Sequence, residues 1–304
     1  MSKPNVPLID LQEASKDKDQ LRLLDSACRD HGFFLLKNHG MQEEINNMWS
    51  MSEWFFAQQR EDKLKLLRSE EIPLGFYDRE LTKQKRDLKE VFDFMETRSE
   101  KDINQWPDEP LFRETMESFF KKSSEVAKDT LDLILLCLGI SKNDLIFGDS
   151  KTSNARLNFY PVDDPLSLLE KNEVNGLGDM ALHHHTDPGI LTLLLQDMTG
   201  GLQAKSKEFG WIDITPEKDS IVVNLGDAMQ VWTNDNYVAA IHRVSKRTSE
   251  PRYSTPFFYN PTSDSIIEPL SIISAAKPHY RAFTWKEYIQ GRIDDNYKDL
   301  GQDD

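Results

Sequence analysis

The stretch 181–190, ALHHHTDPGI, gathers three histidines and an aspartate in front of a Pro-Gly pair. Imidazoles and a carboxylate are donors that suit a divalent first-row metal, and a triad of them leaves coordination positions open for reactants. In an extended chain Leu182, His184 and Thr186 project to one side, and His183, His185 and Asp187 to the other. His185 and Asp187 are then the adjacent pair. His242, in AIHRVS, is the candidate third ligand, brought back across a barrel by later strands, and His183 is an alternative to His185 on parity alone. A solvated surface turn would also look like this, and His-x-Asp by itself does not decide between the two.

Two further stretches carry polar residues at strand spacing. In RLNFYP, Arg156, Asn158 and Tyr160 share one face, and Leu157 and Phe159 share the other. In RYSTPFF, Arg252 and Ser254 project together. A guanidinium beside a hydroxyl can hold a carboxylate through charge-assisted hydrogen bonds, and a tyrosine hydroxyl from a facing strand would add a third donor. The competing reading is a surface arginine on an edge strand, which Pro256 keeps open.

The elements that must position these groups follow from a change of period. From Asp17 to Gly139 apolar residues recur at helical spacing: Leu21, Leu24 and Cys28; Ile45, Met48, Trp49 and Phe56; then Phe119, Phe120, Val126, Leu131, Ile134 and Leu138. FFLLKN interrupts this as a short strand, and Gly139 stops the last helix. From Arg156 onward come eight short runs of strand character, RLNFYPV, ILTLLLQD, GLQAKS, WIDIT, SIVVNLG, MQVWTN, AIHRVS and RYSTPFFYN, separated by turns such as MTGG and TNDN. TWKEYIQGRI returns to helix. The pattern predicts an α+β chain with a mainly β core, an antiparallel jelly roll flanked by helices at both ends, in a single domain over 1–304. Trp49, Trp54, Phe55 and Phe56 read as core, His31 and His39 as helix or turn ends rather than ligands, and the acidic SEKD and DEP stretches as solvated loops.

With 37 basic against 52 acidic side chains, the formal charge of -15 repels phosphate backbones and anionic lipid, so neither nucleic acid nor a membrane surface is an expected partner. Two cysteines, Cys28 and Cys137, sit in apolar helical patterns without metal-type spacing, which suits a reducing cytoplasm. The longest apolar run, LILLCLGI, is too short to span a bilayer, and the first residues lack the apolar core of a signal peptide. A monomer acting on a small molecule is the expectation.

In order and spacing the sequence resembles the iron(II)/2-oxoglutarate-dependent oxygenases of the isopenicillin N synthase-like group, over nearly the whole chain. VPLIDL, CRDHGFFLLKNHG, LGFYDRE and LKEVFDF resemble the N-terminal part of that family; RLNFYP, HTDPGILTLLLQD, GGLQ, VVNLGDAMQVWTN, HRVSK and RYSTPFF resemble its core. The resemblance implies a double-stranded β-helix over 152–262, a leader region over 5–115 and a C-terminal helix over 280–297. It implies that His185, Asp187 and His242 ligate Fe(II), that Arg252, Ser254 and Tyr160 bind the distal carboxylate of 2-oxoglutarate, and that Asn158 sits near its metal-bound end. Arg156 and Phe258 would lie close to the substrate. Fe(II), 2-oxoglutarate and O2 would then be required, with ascorbate as a reductant, and succinate and CO2 released while a substrate carbon is hydroxylated, desaturated or cyclised. Arg156 facing the cavity suggests a carboxylate-bearing substrate. Two other readings stand beside this one: an iron oxidase of the same fold that needs no 2-oxoglutarate, and a barrel that binds metal or ligand without catalysis.

Overall fold

The computed structural model describes residues 6–82, 85–97, 102–140, 145–246 and 249–295. The chain enters through β1 (Leu8–Asp10) and α1 (Lys18–Asp30). Asp17 starts this helix by accepting hydrogen bonds from the N–H groups of Asp19 and Gln20. There follow β2 (Phe33–Lys37), α2 (Gln42–Phe56), α3 (Arg60–Leu64), β3 (Gly75–Tyr77), the paired strands β4 (Leu81–Thr82) and β5 (Lys85–Arg86), and β6 (Glu90–Met95). The long α4 (Pro110–Cys137) begins with a proline in its first turn, where a missing N–H costs nothing, and Gly139 follows it at φ +76°, the left-handed conformation that ends helices.

The second half begins with β7 (Asn154–Tyr160), α5 (Leu168–Lys171), β8 (Leu182–His185), β9 (Leu191–Gln196), β10 (Leu202–Ser206), β11 (Gly210–Asp213) and β12 (Ile221–Leu225). It continues with α6 (Asp227–Trp232), β13 (His242–Val244), β14 (Arg252–Tyr259), the pair β15 (Ile266–Ile267) and β16 (Phe283–Thr284), and α7 (Trp285–Asp295). The larger sheet has eight strands in the order β1-β2-β12-β9-β14-β7-β6-β3, and the smaller has four, β11-β10-β13-β8. Phe33, Leu35, Leu194 and Val222 of the first meet Leu202, Ala204, Ile212 and Val244 of the second in one apolar cluster between the sheets. The intervening residues Phe34, Leu36, Leu193, Leu195, Ile221 and Val223 turn outward and pack with the buried faces of α1, α2 and α4. This is the expected jelly roll with flanking helices. Phe55 and Phe56 are buried, and Trp49 and Trp54 pack against the same outer cluster, so the aromatic group on α2 is core.

Two local expectations fail. MQVWTN is not a strand: its first four residues belong to α6. Ala228, Met229, Val231 and Trp232 are all buried, so no polar face marks a helix, and a short apolar run of that kind is indistinguishable from a strand by period. Tertiary contacts decide, because the first N–H groups of α6, from Asp227 and Ala228, donate to the carbonyls of Asp187, Pro188 and Gly189. Asp187 itself lies beyond the end of β8, so its direction is set by that loop and not by strand alternation. In addition β1, β3 and β6, hidden in the helical half, extend the larger sheet. The expected C-terminal helix begins late, since Phe283 and Thr284 pair as β16 and α7 starts at Trp285. Residues 296–297 of that helix, residues 5, 83–84 and 98–101 of the leader region, which include most of SEKD, and residues 247–248 of the core lie outside the described residues.

The loop carrying Asp187 is clamped by a close backbone approach. A Cβ at Gly226 would stand 2.2 Å from the Gly189 carbonyl oxygen and 2.8 Å from that of Asp187. Gly226→Ala therefore forces loop and helix apart. The expected cost is roughly 2 kcal/mol, a fall in the thermal midpoint of roughly 3 °C for a chain of 304 residues, read by calorimetry; an unchanged midpoint would show that the loop yields freely.

Candidate active site

His185 ends β8 and His242 begins β13, and the two are directly paired across adjacent antiparallel strands of the smaller sheet. The third candidate ligand thus comes from the neighbouring strand and not from across the barrel. Their ring centroids are 4.2 Å apart. His185 Nδ1 lies 2.9 Å from the His183 carbonyl and His242 Nδ1 2.8 Å from that of Ala240, bonds that place the proton on Nδ1 and leave the Nε2 lone pairs for a ligand. Phe33 packs edge-on against the His242 ring at 5.7 Å. Asp187 Oδ1 stands 3.8 Å from His185 Nε2 and 3.9 Å from His242 Nε2. Its other oxygen, Oδ2, accepts from Thr192 Oγ1 at 2.6 Å and from Asn224 Nδ2 at 2.8 Å. One ligand atom from each of the three residues lies within 4.8 Å of the others, the sole such cluster among the described residues.

The protonation states suit a cation. Burial, and then the neighbouring His242, push His185 down to about 3, so its imidazole is neutral. Burial opposes ionisation of Asp187, but His242, His185 and the two donors hold its carboxyl below the ordinary range. Two imidazoles and one carboxylate, with outer atoms already hydrogen-bonded, are the donors that Fe(II) takes, and three protein ligands leave room for a chelating acid and a gas. The residues fit the metal. His183 does not join them: its ring turns to Asp87 Oδ1 at 3.4 Å and Asp179 Oδ1 at 3.1 Å, so it is His185 that lies beside Asp187 and His242. His184 is exposed, its ring 6.3 Å from that of Trp211. His31 and His39 accept from the N–H groups of Phe33 and Met41, as turn residues.

Along the interior face of the larger sheet, β14 and β7 bring together the four residues expected around a carboxylate. Arg252 is opposite Tyr160 and Ser254 opposite Asn158. Tyrosine and arginine are therefore on adjacent strands of one sheet, not on facing ones, and the guanidinium lies over the Tyr160 ring at 5.0 Å. Arg252 is 1% exposed. Its nitrogens reach the Gly200 carbonyl at 3.0 Å, Ser254 Oγ at 3.2 Å and Gln196 Oε1 at 3.5 Å, all uncharged acceptors. Ser254 Oγ also accepts from Asn158 Nδ2 at 3.3 Å.

Arg156, on the same face of β7, is in the opposite situation. Its Nε and Nη2 donate to the two oxygens of Asp93 at 2.7 and 2.8 Å, and Nη1 donates to Glu80 at 2.7 Å. Glu80 is shared with Lys89 at 2.9 Å and Arg68 at 2.8 Å. Burial opposes its charge, yet Arg156, Lys89 and Arg68 hold its carboxyl well below the carboxylate range. Arg156 and Phe258 both line a cavity of about 330 Å3 that also reaches His185 and Asp187. Thr152, Asn154 and Asn260 form part of its wall, and α7 closes it with Trp285 and Ile289. Tyr288 of α7 donates to Asp227 at 2.6 Å, tying that helix to the segment that holds the Asp187 loop.

Residues 152–261 match the family described as the 2OG-Fe(II) oxygenase superfamily, and residues 6–109 match that described as non-haem dioxygenase in morphine synthesis N-terminal. The chain is 32% identical over 296 residues to 1-aminocyclopropane-1-carboxylate oxidase 4 of Solanum lycopersicum, covering 94% of this chain and 89% of that one. The chain belongs to the 2-oxoglutarate–Fe(II) oxygenase superfamily. It is a non-haem iron, 2-oxoglutarate-dependent dioxygenase. The oxygenase is also 30% identical to Protein DMR6-LIKE OXYGENASE 2 of Arabidopsis thaliana, over 94% of this chain and 82% of that one. A full-length Neurospora crassa protein solved in complex with alpha-KG superposes with a TM-score of 0.80 at 28% identity, covering 95% of this chain and 96% of that one. Among the described residues of the oxygenase no helix is long and apolar enough to cross a membrane.

Reading the sequence misses Thr192 and Asn224, which fix Asp187, and Trp285 and Ile289, which close the cavity. A signal for the first two exists: each is a lone polar residue in an apolar strand, ILTLLLQ and IVVNL. None marks the last two. Anaerobic Fe(II) titration should show His185→Ala and Asp187→Ala losing at least roughly 100-fold in affinity and Thr192→Val roughly 10- to 100-fold, with His184→Ala near wild type; loss of iron in the last alone would place the site elsewhere. Arg156→Gln leaves Glu80 and Asp93 short of a cation, and should lower unfolding free energy by about 3 kcal/mol in denaturant titrations.

Proposed function

We propose that His185, Asp187 and His242 hold Fe(II), that Arg252 and Ser254, with Tyr160 beside them, receive the distal carboxylate of 2-oxoglutarate, and that Asn158 lies toward the co-substrate's metal-bound end. The observation that carries this reading is Arg252. A guanidinium 1% exposed, with no carboxylate among its described partners, is a buried positive charge awaiting an anion. With the metal and co-substrate held there, O2 would be the oxidant, one of its atoms going into succinate as CO2 leaves and the other being available to oxidise the substrate carbon.

The protein's own residues do the rest. Thr192 and Asn224 keep Asp187 ionised and aimed, and the Nδ1 bonds of both histidines fix their tautomers. Ser254 and Gln196 keep the Arg252 fork in place before the acid arrives, which lowers the cost of ordering it. Arg156 and Phe258 face the substrate in the adjoining cavity, whose walls orient the carbon to be oxidised. Residues 5–115, 152–262 and 280–297 act as one catalytic domain in this reading, a monomer that works in the cytoplasm on a free small molecule; the formal charge of -15 supports partners other than nucleic acid or anionic membranes.

The test is anaerobic addition of Fe(II) and then 2-oxoglutarate, watching for the visible charge-transfer band of a chelated 2-oxo acid. Wild type should give the band, and Arg252→Leu should need roughly 100-fold more 2-oxoglutarate, a loss of about 2.7 kcal/mol, at unchanged iron affinity. Iron binding without a band, together with product formed in the absence of 2-oxoglutarate, would replace this reading by the co-substrate-independent oxidase.

A further inference from the structure

We infer that the cavity beside His185 and Asp187 selects an uncharged, flat molecule of one or two rings with a hydrogen-bonding edge, and that it discriminates against carboxylates. This rests on the oxygenase reading above, since it names the substrate of that site.

The argument is one of charge and shape. Among the described residues, Arg156 is the sole charged one in the cavity wall apart from Asp187, which the metal would take. Its charge is already met. Asp93 takes it through both carboxylate oxygens and Glu80 through a third bond. The cluster behind it is balanced: Arg68, Lys89 and Arg156 face Glu80, Asp87 and Asp93. A carboxylate entering here would shed its hydration and find no uncompensated cation among the described residues, and would add a fourth negative charge to three. An ammonium would find no acid among the described wall residues other than the metal ligand. Arg252 shows the contrast within the same sheet, for there the guanidinium is held by uncharged acceptors only. The sequence-based expectation of an acidic substrate relied on Arg156 facing the cavity; it does face it, but with two acids attached.

Shape follows from the remaining wall. Phe258 and Trp285 offer aromatic surface and Ile289 an aliphatic one, which favours a planar apolar body. The Thr152 hydroxyl donates to the Pro261 carbonyl at 2.6 Å and Asn260 Nδ2 to the Thr152 carbonyl at 2.9 Å, which leaves Asn260 Oδ1, without a partner among the described residues, and the Asn154 amide nitrogen to favour a polar, unionised edge. About 330 Å3 is near the lower end for small-molecule sites and limits the ligand to one or two rings.

The test is calorimetry on the anaerobic Fe(II)·2-oxoglutarate protein with size-matched probes: indole and benzamide against indole-3-carboxylate and benzoate. The uncharged members should bind at least tenfold more tightly than their carboxylates. Trp285→Ala should weaken the uncharged probes at least tenfold, and Trp285→Phe, which keeps an aromatic face, should retain most of the affinity; neither should shift the 2-oxoglutarate titration. Equal or tighter binding of the carboxylates, or no binding of either uncharged probe, overturns the inference. Loss of the co-substrate band in the same samples would count against the oxygenase reading alone, because the preference between probes is measured independently of it.

Discussion

Everything at this site depends on holding one carboxylate, Asp187, ionised between two imidazoles in the interior of a barrel. Isolated, a buried carboxylate would take up a proton. Here Thr192 from β9 and Asn224 from β12 satisfy one oxygen, and the other is left to face both Nε2 atoms. The histidines are held by their own backbone, through carbonyls two residues upstream. The result is a donor set whose geometry exists before any metal arrives, so that little ordering is needed on binding.

The larger sheet makes this economical because each strand does two jobs. Its outward residues, such as Leu193, Val223 and Phe257, pack with the helices, and each fully buried side chain of that kind contributes roughly 1.5–3 kcal/mol. Its inward residues, Thr192, Asn224, Ser254, Arg252 and Asn158, carry the polar work. The helices therefore stabilise the sheet from behind without intruding on the site, except for α7, which reaches the front and closes the cavity with Trp285 and Ile289. Tyr288 and Gly226 couple that closure to the Asp187 loop, one by a hydrogen bond to Asp227 and the other by allowing backbones to touch.

Charge is distributed with the same economy. The two inward arginines differ in what surrounds them, and so in what they can recognise. Arg156 belongs to a balanced cluster that links β6, β7 and the segment around Glu80, where it stabilises the barrel mouth. Arg252 has only neutral acceptors and remains able to bind an anion. Removing one partner from the first cluster would strand buried charge; supplying a partner to the second would relieve it.

Residue types and the two-residue period were enough to put Arg156, Asn158 and Tyr160 on one side of β7 and Arg252 and Ser254 on one side of β14, and the helix stop at Gly139 marked a real boundary, because alternation and capping are set by neighbours along the chain. The local pattern preferred His185 to His183 only for its two-residue spacing to Asp187, could not show that MQVWTN begins as a helical turn, and could not tell a neutralised arginine from an available one. Those outcomes hang on groups far away in sequence: Asp87 draws off His183, the Asp187 loop carbonyls organise α6, and Asp93 and Glu80 reach Arg156 across 63 and 76 residues. The periodicity of a backbone is a local property, whereas compensation of a buried charge is a property of whatever the fold brings within hydrogen-bonding distance.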